Sequence, residues 1–342
     1  MKLFRFLLFP FAVLYDIITS IRNWFFDIGV LKATSFTIPV IAVGNLSVGG
    51  TGKTPQIEYL IRLLKQRKRI AVLSRGYKRK TKGFQIINDT HTTDDVGDEP
   101  MQFYKKFGNE VIVAVDADRT NGIQQLLNTA NPPEIVLLDD AYQHRKVKAS
   151  AYILLTKYND LFVDDFILPT GNLRESKRGA KRAAAIVVTK CPSEISEKEQ
   201  QFILKKIAPK KHQQVFFSTI SYDEELEGDV SGLTISDLKN KEVLLVTGIA
   251  NPVSLLQFLS KENIKFKHLK YPDHYDFTTK DILKIQTEFT QLPSSNKLIL
   301  TTEKDYMRLE NRLQNVVYVA IKNKFFNEET LFNDFVFSEI KS

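Results

Sequence analysis

From residue 38 onward, the chain alternates short runs of apolar, often β-branched residues with longer stretches in which apolar residues recur at helical spacing. Several of the short runs are apolar without interruption, which is typical of parallel strands that helices cover on both faces. The runs predicted as strands in this part of the chain span residues 39–43, 69–73, 110–115, 135–138, 151–155 and 185–188. This pattern predicts an α/β/α sandwich.

The pattern changes between residues 214 and 230, where extended residues lead into the acidic stretch 223–229. A second αβ series follows, with predicted strands at residues 242–246, 266–269, 298–300 and 316–320. With 342 residues, the chain is longer than one average domain and can bury two cores. We therefore predict a first domain over residues 1–218 and a smaller α/β domain over residues 219–342.

The N-terminal residues 1–26 combine two early basic residues, Lys2 and Arg5, with bulky apolar residues at roughly helical spacing from Phe6 to Phe26. The apolar run at the start is far shorter than the ~20 residues that span a bilayer, and no clean signal-peptidase site follows it. An amphipathic helix of this composition can lie in the interface of an anionic membrane. The alternative is a helix that packs onto a protein core. We favour the membrane surface.

Composition excludes few classes of protein, since 43% hydrophobic and 26% charged residues are ordinary for a globular chain. The single cysteine, Cys191, cannot form an internal disulfide, which favours the cytosol. The net charge of +8 suits nucleic acid, an anionic membrane surface or a phosphorylated substrate. Much of the excess lies between residues 62 and 82 and between residues 174 and 182. No array of stacking aromatics or recognition helix accompanies these clusters, which argues against nucleic acid.

A glycine-rich loop joins the first predicted strand to a predicted helix. The residues that we assign to nucleotide binding are Ser47, Val48, Gly49, Gly50, Thr51, Gly52, Lys53 and Thr54. Glycines let backbone N–H groups close on phosphate oxygens, and the helix N-terminus adds a favourable dipole. Lys53 is expected to reach the β- and γ-phosphates of ATP, and Thr54 to bind Mg²⁺. Ser47 stands where the usual pattern begins with glycine, so Gly49 and Gly50 supply the flexibility instead.

Two adjacent carboxylates, Asp139 and Asp140, follow the apolar run 135–138. Because the carboxyl ends of parallel strands face the ligand crevice, we predict that these residues hold Mg²⁺ beside the loop. Acidic residues after a strand are also common turn formers, so the prediction depends on the loop. His274 lies in the second predicted domain. A zinc site is not expected, because one cysteine and scattered histidines give no ligand spacing.

Three further polar clusters interrupt the pattern, at residues 74–77, 96–100 and 171–175. Asp98 in the second cluster could simply cap a helix, and Arg174 and Glu175 in the third could be a surface pair. Taken in order along nearly the whole chain, the motifs resemble those of the tetraacyldisaccharide 4′-kinase family of bacterial lipid A biosynthesis. The segments that carry the resemblance are residues 43–55, 74–77, 97–100, 118–119, 139–144, 171–175, 272–275 and 302–305.

The resemblance implies an ATP-dependent kinase that phosphorylates the 4′-hydroxyl of a tetraacylated glucosamine disaccharide 1-phosphate, giving lipid IVA. It also implies two α/β domains joined by a short β linker and a peripheral location on the cytoplasmic face of the inner membrane. No obligate protein partner is evident. Family roles carried onto matching positions make Asp98 the catalytic base, assisted by His274, with Lys53 on the transferring phosphate. They place four residues around Mg²⁺, namely Thr54, Asp139, Asp140 and Glu175. They add three contributors to the site whose roles are not separated, namely Tyr77, Arg119 and Arg174.

One position departs from the family pattern, since Ala141 stands where the family often has glycine. The turn that follows the two aspartates therefore cannot take a positive φ at this residue without a cost. Two other functions stay open on the residues alone. One is a P-loop NTPase whose hydrolysis drives a conformational change. The other is a non-enzymatic binder of membrane surfaces or nucleic acid that uses the basic cluster between residues 62 and 82.

Overall fold

The structure, a computed structural model, describes residues 5–273, 275–326 and 328–341. The strands in these residues are β1 Val40–Asn45, β2 Ile70–Ser74, β3 Gln85–Ile86, β4 Ile112–Val115, β5 Ile135–Asp139, β6 Ala151–Lys157, β7 Ala185–Thr189, β8 Gln214–Gly228, β9 Glu242–Thr247, β10 Phe266–Lys270, β11 Lys297–Thr302 and β12 Val316–Phe325. The α-helices are α1 Phe9–Asp27, α2 Lys53–Leu64, α3 Thr93–Val96, α4 Asp98–Phe107, α5 Arg119–Leu127, α6 Glu197–Ile207, α7 Val253–Lys261, α8 Thr279–Thr290, α9 Glu303–Leu309 and α10 Glu329–Glu339.

All the strands join in one sheet, in the order β10-β9-β11-β12-β8-β7-β6-β1-β5-β2-β4-β3. From β7 to β4 the neighbouring strands are parallel, and β3 adds an antiparallel edge. Alternate residues of one strand enter different cores, because successive side chains point to opposite faces. In β1, Ile41 and Val43 pack in the core beneath α2 and α4, whereas Val40 and Ala42 pack in the core beneath α5. The predicted α/β architecture with helices on both faces is confirmed.

Strand β8 is shared by the two halves of the sheet. Its first residues pair in parallel with β7, and from Ser218 onward it pairs antiparallel with β12. The sequence pattern predicted a domain boundary here, whereas the structure has a single continuous strand of 15 residues. Acidic residues are poor strand formers, but cross-strand partners compensate them: Lys322 pairs with Asp223, and the Tyr318 hydroxyl donates to Glu227.

The division into residues 1–218 and 219–342 stays a prediction. Helix α10, at the end of the chain, packs on the core of the first half through Phe332, Phe335 and Val336. A buried ionic cluster also joins the two halves. The Lys106 ammonium on α4 lies 2.8 Å from a carboxylate oxygen of Glu58 on α2 and 2.8 Å from one of Glu303 on α9.

Helix α1 lies on the outside of the protein, and Ala12 is its one buried residue. Polar contacts hold it in place: Tyr15 donates to the Arg174 carbonyl, Asn23 donates to Glu175, and Asp27 pairs with Arg145 and Lys181. Most of the large apolar side chains of this segment are exposed, and Phe25 and Phe26 are half-buried, which excludes the core-packed alternative in this structure. Within the described part of the chain, none of the helices is both long and apolar enough to cross a membrane.

Candidate active site

The glycine-rich loop leaves β1 and turns directly into α2. Gly49 and Gly52 have φ values of 103° and 87°, in the left-handed region that favours glycine, and Gly52 caps the helix. A second loop holds its start, because Val48 N–H donates to the Asn172 carbonyl at 2.8 Å and Arg174 N–H donates to that of Leu46 at 2.7 Å. The first N–H groups of α2 have no partner within the helix and are arranged to bind an anion.

Lys53, the first residue of α2, reaches back over the ends of β1 and β5. Its ammonium lies 3.3 Å from Asn45 Oδ1 and 3.5 Å from Asp140 Oδ1. Arg174 donates to both oxygens of Asp140, at 3.1 and 3.2 Å. Burial opposes the charge on Asp140, but Lys53 and Arg174 outweigh it and lower the pKa of this carboxyl. The positive φ of the turn falls on Asp140, at 46°, so Ala141 needs none and packs in the core.

Asp139 is buried beside this pair and accepts a hydrogen bond from the Ser74 hydroxyl at 3.1 Å. Burial, then the neighbouring charge of Asp140, raises the pKa of Asp139 to about 6, although Lys53 acts in the opposite direction. Arg119 lies beneath the turn, with Nη2 3.4 Å from the Asp139 carbonyl, and burial lowers its pKa. Asp139 is thus a carboxylate whose buried charge is only partly compensated by the described residues.

The oxygen ligands needed for Mg²⁺ are present at this place. Thr54 is the second residue of α2. The two aspartates lie at the carboxyl end of the neighbouring strand β5, Asp139 as its last residue and Asp140 directly after it. Among the described residues, no group of three or more His, Cys, Asp or Glu side chains could hold a metal ion. Mg²⁺ on a nucleotide does not need such a group, because this ion keeps several waters and binds through one or two carboxylates plus substrate phosphates. The partly compensated charge of Asp139 fits a nearby cation as well.

Asp98 begins α4 and lies against the second half of the sheet. Gly97 rather than Asp98 precedes the helix as its cap, with φ 95°, and the Asp98 carboxylate pairs with Arg308 of α9. Arg308 also donates to the Tyr275 carbonyl at 3.2 Å. His274, the predicted partner of Asp98, falls outside the described residues. The Arg308 side chain therefore contacts both the Asp98 carboxylate and the backbone carbonyl of Tyr275, the residue after His274.

Glu175 is linked to the start of the loop through Gln143, whose Nε2 donates to both Glu175 and the Asn45 carbonyl. Its oxygens accept hydrogen bonds from Arg182 at 2.8 Å, Asn23 at 2.8 Å and Gln143 at 3.0 Å, in a buried network beneath α1. These contacts give no support to a metal-binding role. Tyr77 is exposed in the loop after β2. Since β2 lies beyond β5 from β1, this loop is on the side of the aspartates away from the P-loop.

Two lysines beside the glycine-rich loop were missed by the sequence reasoning. The ammonium of Lys157 lies 3.8 Å from the position that a Cβ would occupy on Gly49, and that of Lys190 lies 3.9 Å from the same position on Gly50. Loss of hydration, then the charges of Lys157 and Lys53, lowers the pKa of Lys190. Each lysine stands at the carboxyl end of a parallel strand, β6 or β7, which is the signal that could have found them.

A phosphate-binding loop at a helix N-terminus, with a lysine on that helix and two aspartates on the adjacent strand, defines a P-loop nucleotide-binding enzyme. The sequence profile of the tetraacyldisaccharide-1-P 4′-kinase family matches residues 4–341. The chain therefore belongs to the tetraacyldisaccharide 4′-kinase family, and the predicted resemblance is confirmed.

Relatives agree over the whole length. The chain is 53% identical to the tetraacyldisaccharide 4′-kinase of Flavobacterium psychrophilum over 346 residues, covering all of this chain and 98% of the relative. It is 38% identical to that of Porphyromonas gingivalis, covering 95% and 94% of the two chains. Among solved structures it is similar to LpxK from Aquifex aeolicus in complex with ATP, with a TM-score of 0.79, 33% identity and coverage of 98% and 99%.

Proposed function

We propose that this chain transfers the γ-phosphate of ATP to the 4′-hydroxyl of a tetraacylated glucosamine disaccharide 1-phosphate, giving lipid IVA in lipid A biosynthesis. The observation that carries the proposal is the P-loop, with Lys53, Asp139 and Asp140 assembled around it, in a chain that matches the kinase family from end to end. ATP is the nucleotide in the similar Aquifex structure. The alternative of an NTPase that drives a conformational change is not favoured.

In this mechanism the loop and Lys53 hold the phosphates of ATP. Backbone N–H groups at the start of α2 and the Lys53 ammonium are fixed before the reaction, so they stabilise charge on the transferring group without reorganising. Asn45 and Asp140 hold the lysine at the end of the sheet. Thr54, Asp139 and Asp140 would hold Mg²⁺, which would shield the phosphoryl oxygens when bound.

Transfer to a lipid acceptor tests this function directly. Radiolabel from the γ-phosphate of ATP should move to the acylated disaccharide 1-phosphate, with little release of free phosphate when the lipid is omitted. Lys53→Ala should lower kcat by about 10²-fold or more, the usual effect of removing a preorganised charge contact. Lys65→Ala is the matched control, since Lys65 directly follows the same helix as its C-cap and pairs with Glu110 on the surface. Lipid-independent ATP hydrolysis at the full rate would instead support the NTPase.

For the acceptor, we propose that Asp98 takes the proton from the sugar hydroxyl with help from His274. A hydroxyl is a poor nucleophile at neutral pH, and a positioned base contributes about 10²–10⁴-fold. Asp98→Asn should therefore lower kcat within that range while the KM for ATP changes little. Asp94→Asn, in the preceding helix and paired with Lys80, is the control. The variant lacking both Asp98 and His274 side chains should be little worse than Asp98→Asn, and multiplicative losses would show independent roles.

We also propose that α1 binds an anionic membrane surface on the cytoplasmic face of the inner membrane. The support is the exposed apolar side chains of α1 and of the turn before it, where Leu14, Ile18 and Leu7 are 56%, 58% and 73% exposed. Basic residues near such a surface add about 1 kcal/mol each, so binding should weaken with salt.

Vesicle sedimentation decides the membrane question. Aspartates at Leu7, Leu14 and Ile18 should abolish binding to anionic vesicles while the protein stays folded. Aspartates at Leu283 and Leu331, which are 57% and 60% exposed elsewhere on the protein, provide the matched control. Equal binding of the α1 variant and the wild type would refute the proposed role of this helix.

A further inference from the structure

A cavity of about 500 Å³ lies beyond the aspartates, at the carboxyl ends of β2 and β4. Four of its lining residues are cationic, namely Arg75, Lys78, Arg79 and Lys82. None of the described residues that line it is acidic. Its volume falls within the range of small-ligand sites, and its charge favours an anion.

Arg79 is the half-buried cation of this cavity, whereas Arg75, Lys78 and Lys82 are exposed. Its Nη2 donates to the Gly83 carbonyl at 2.5 Å, whereas Nη1 is buried without a hydrogen-bond partner among the described residues. The nearby acid, Asp116, already accepts hydrogen bonds from the Asn121 side chain at 2.6 Å and from the Asp118 N–H at 2.9 Å. Because Nη1 is shielded from solvent, Arg79 contributes to the cavity through the positive charge of its guanidinium.

The cavity also adjoins the expected place of the acceptor. Gly76, in its lining, packs so closely on Gly97 that a Cβ on Gly97 would lie 3.3 Å from the Gly76 Cα. Gly97 immediately precedes Asp98, the proposed base. In the sheet, β2 and β4 lie one and two strands from β5, so the cavity is roughly 5–10 Å to the side of Asp139. It is therefore beside the reaction centre and separate from the P-loop.

We propose that this cavity binds a phosphate monoester, and that its occupant is the 1-phosphate of the acceptor. The assignment rests on the proposed function, in which the acceptor has its reacting hydroxyl on one sugar and its phosphate on the other. A subsite for that phosphate must lie next to the base and away from the ATP phosphates, as this cavity does. Arginine forks and lysine charges are the groups that bind phosphate oxygens.

The test compares an acceptor that carries the 1-phosphate with the same acceptor lacking it. The variant is Lys78→Ala/Lys82→Ala, because both lysines are exposed and their loss leaves the fold intact. The matched control is Lys65→Ala/Lys80→Ala, whose lysines pair with surface carboxylates outside the cavity. Wild type and control should prefer the phosphorylated acceptor in kcat/KM. The cavity variant should lose about tenfold of that preference, as for one lost charge-assisted hydrogen bond, with kcat/KM for the other acceptor unchanged.

Inorganic phosphate tests the cavity without phosphoryl transfer. With a non-hydrolysable ATP analogue occupying the P-loop, phosphate should bind the wild type and the control but not the cavity variant. A variant that keeps the full acceptor preference, or loses activity equally with both acceptors, would overturn the proposal. Loss of binding to anionic vesicles with the preference retained would assign the cavity to phospholipid headgroups instead. If the wild type phosphorylates neither acceptor, the proposed function fails, and phosphate binding still decides whether the anion site exists.

Discussion

Asp139→Asn should make the nucleotide-free protein more stable at neutral pH while removing its activity. The folded protein raises the pKa of Asp139 from 3.8 to about 6, so it disfavours the ionised carboxylate that the unfolded chain tolerates. This cost is absent below about pH 4, grows as the pH rises to about 6 and is constant above it. A difference of this size corresponds to about 3 kcal/mol. The neutral amide avoids the cost and can still hydrogen-bond to Ser74.

Urea denaturation without nucleotide or metal, at about pH 8 and at about pH 4, measures the effect. We expect the Asn variant to gain up to about 3 kcal/mol at the higher pH and almost nothing at the lower. Asp140→Asn is an internal control of opposite sign, because Lys53 and Arg174 lower the pKa of Asp140 and its ionised form therefore stabilises the fold. It should lose stability at neutral pH. A loss for Asp139→Asn at about pH 8, or a gain that is independent of pH, would refute the reasoning.

Three further predictions concern Lys190 at the P-loop and two buried ionic clusters elsewhere in the protein. Lys190→Ala should raise the KM for ATP by about tenfold with a smaller effect on kcat, as steady-state kinetics would show, because its ammonium adjoins Gly50 where phosphates are expected. Lys106→Met should cost about 3–5 kcal/mol in denaturant titrations, since it leaves the buried Glu303 without its cation and leaves Glu58 with Arg62 alone. Glu175→Gln should destabilise the protein, because it breaks the buried ion pair with Arg182, and it should leave the Mg²⁺ dependence of activity unchanged. A change in the Mg²⁺ dependence would instead support the predicted role of Glu175 as a metal ligand.

The sequence by itself was sufficient for the parts of this protein that depend on local pattern. The strand before Gly44, the glycines of the loop and the apolar run before Asp139 are contiguous segments, and each determines its own backbone conformation. The rule that parallel strands present their carboxyl ends at one edge then predicted that the aspartates lie beside the loop, where Asp140 pairs with Lys53.

Only the tertiary structure decided contacts between residues distant along the chain. It placed Lys157 and Lys190 at the P-loop, bound Glu175 to Arg182, and joined Asp98 to Arg308, which is 210 residues further on. It also left the apolar side chains of α1 exposed, where the periodicity alone had kept a core-packed helix open as the alternative. The physical reason is the same in each case. A charged or amphipathic side chain has several acceptable partners, and which one it meets depends on strand order and packing, which no local pattern contains.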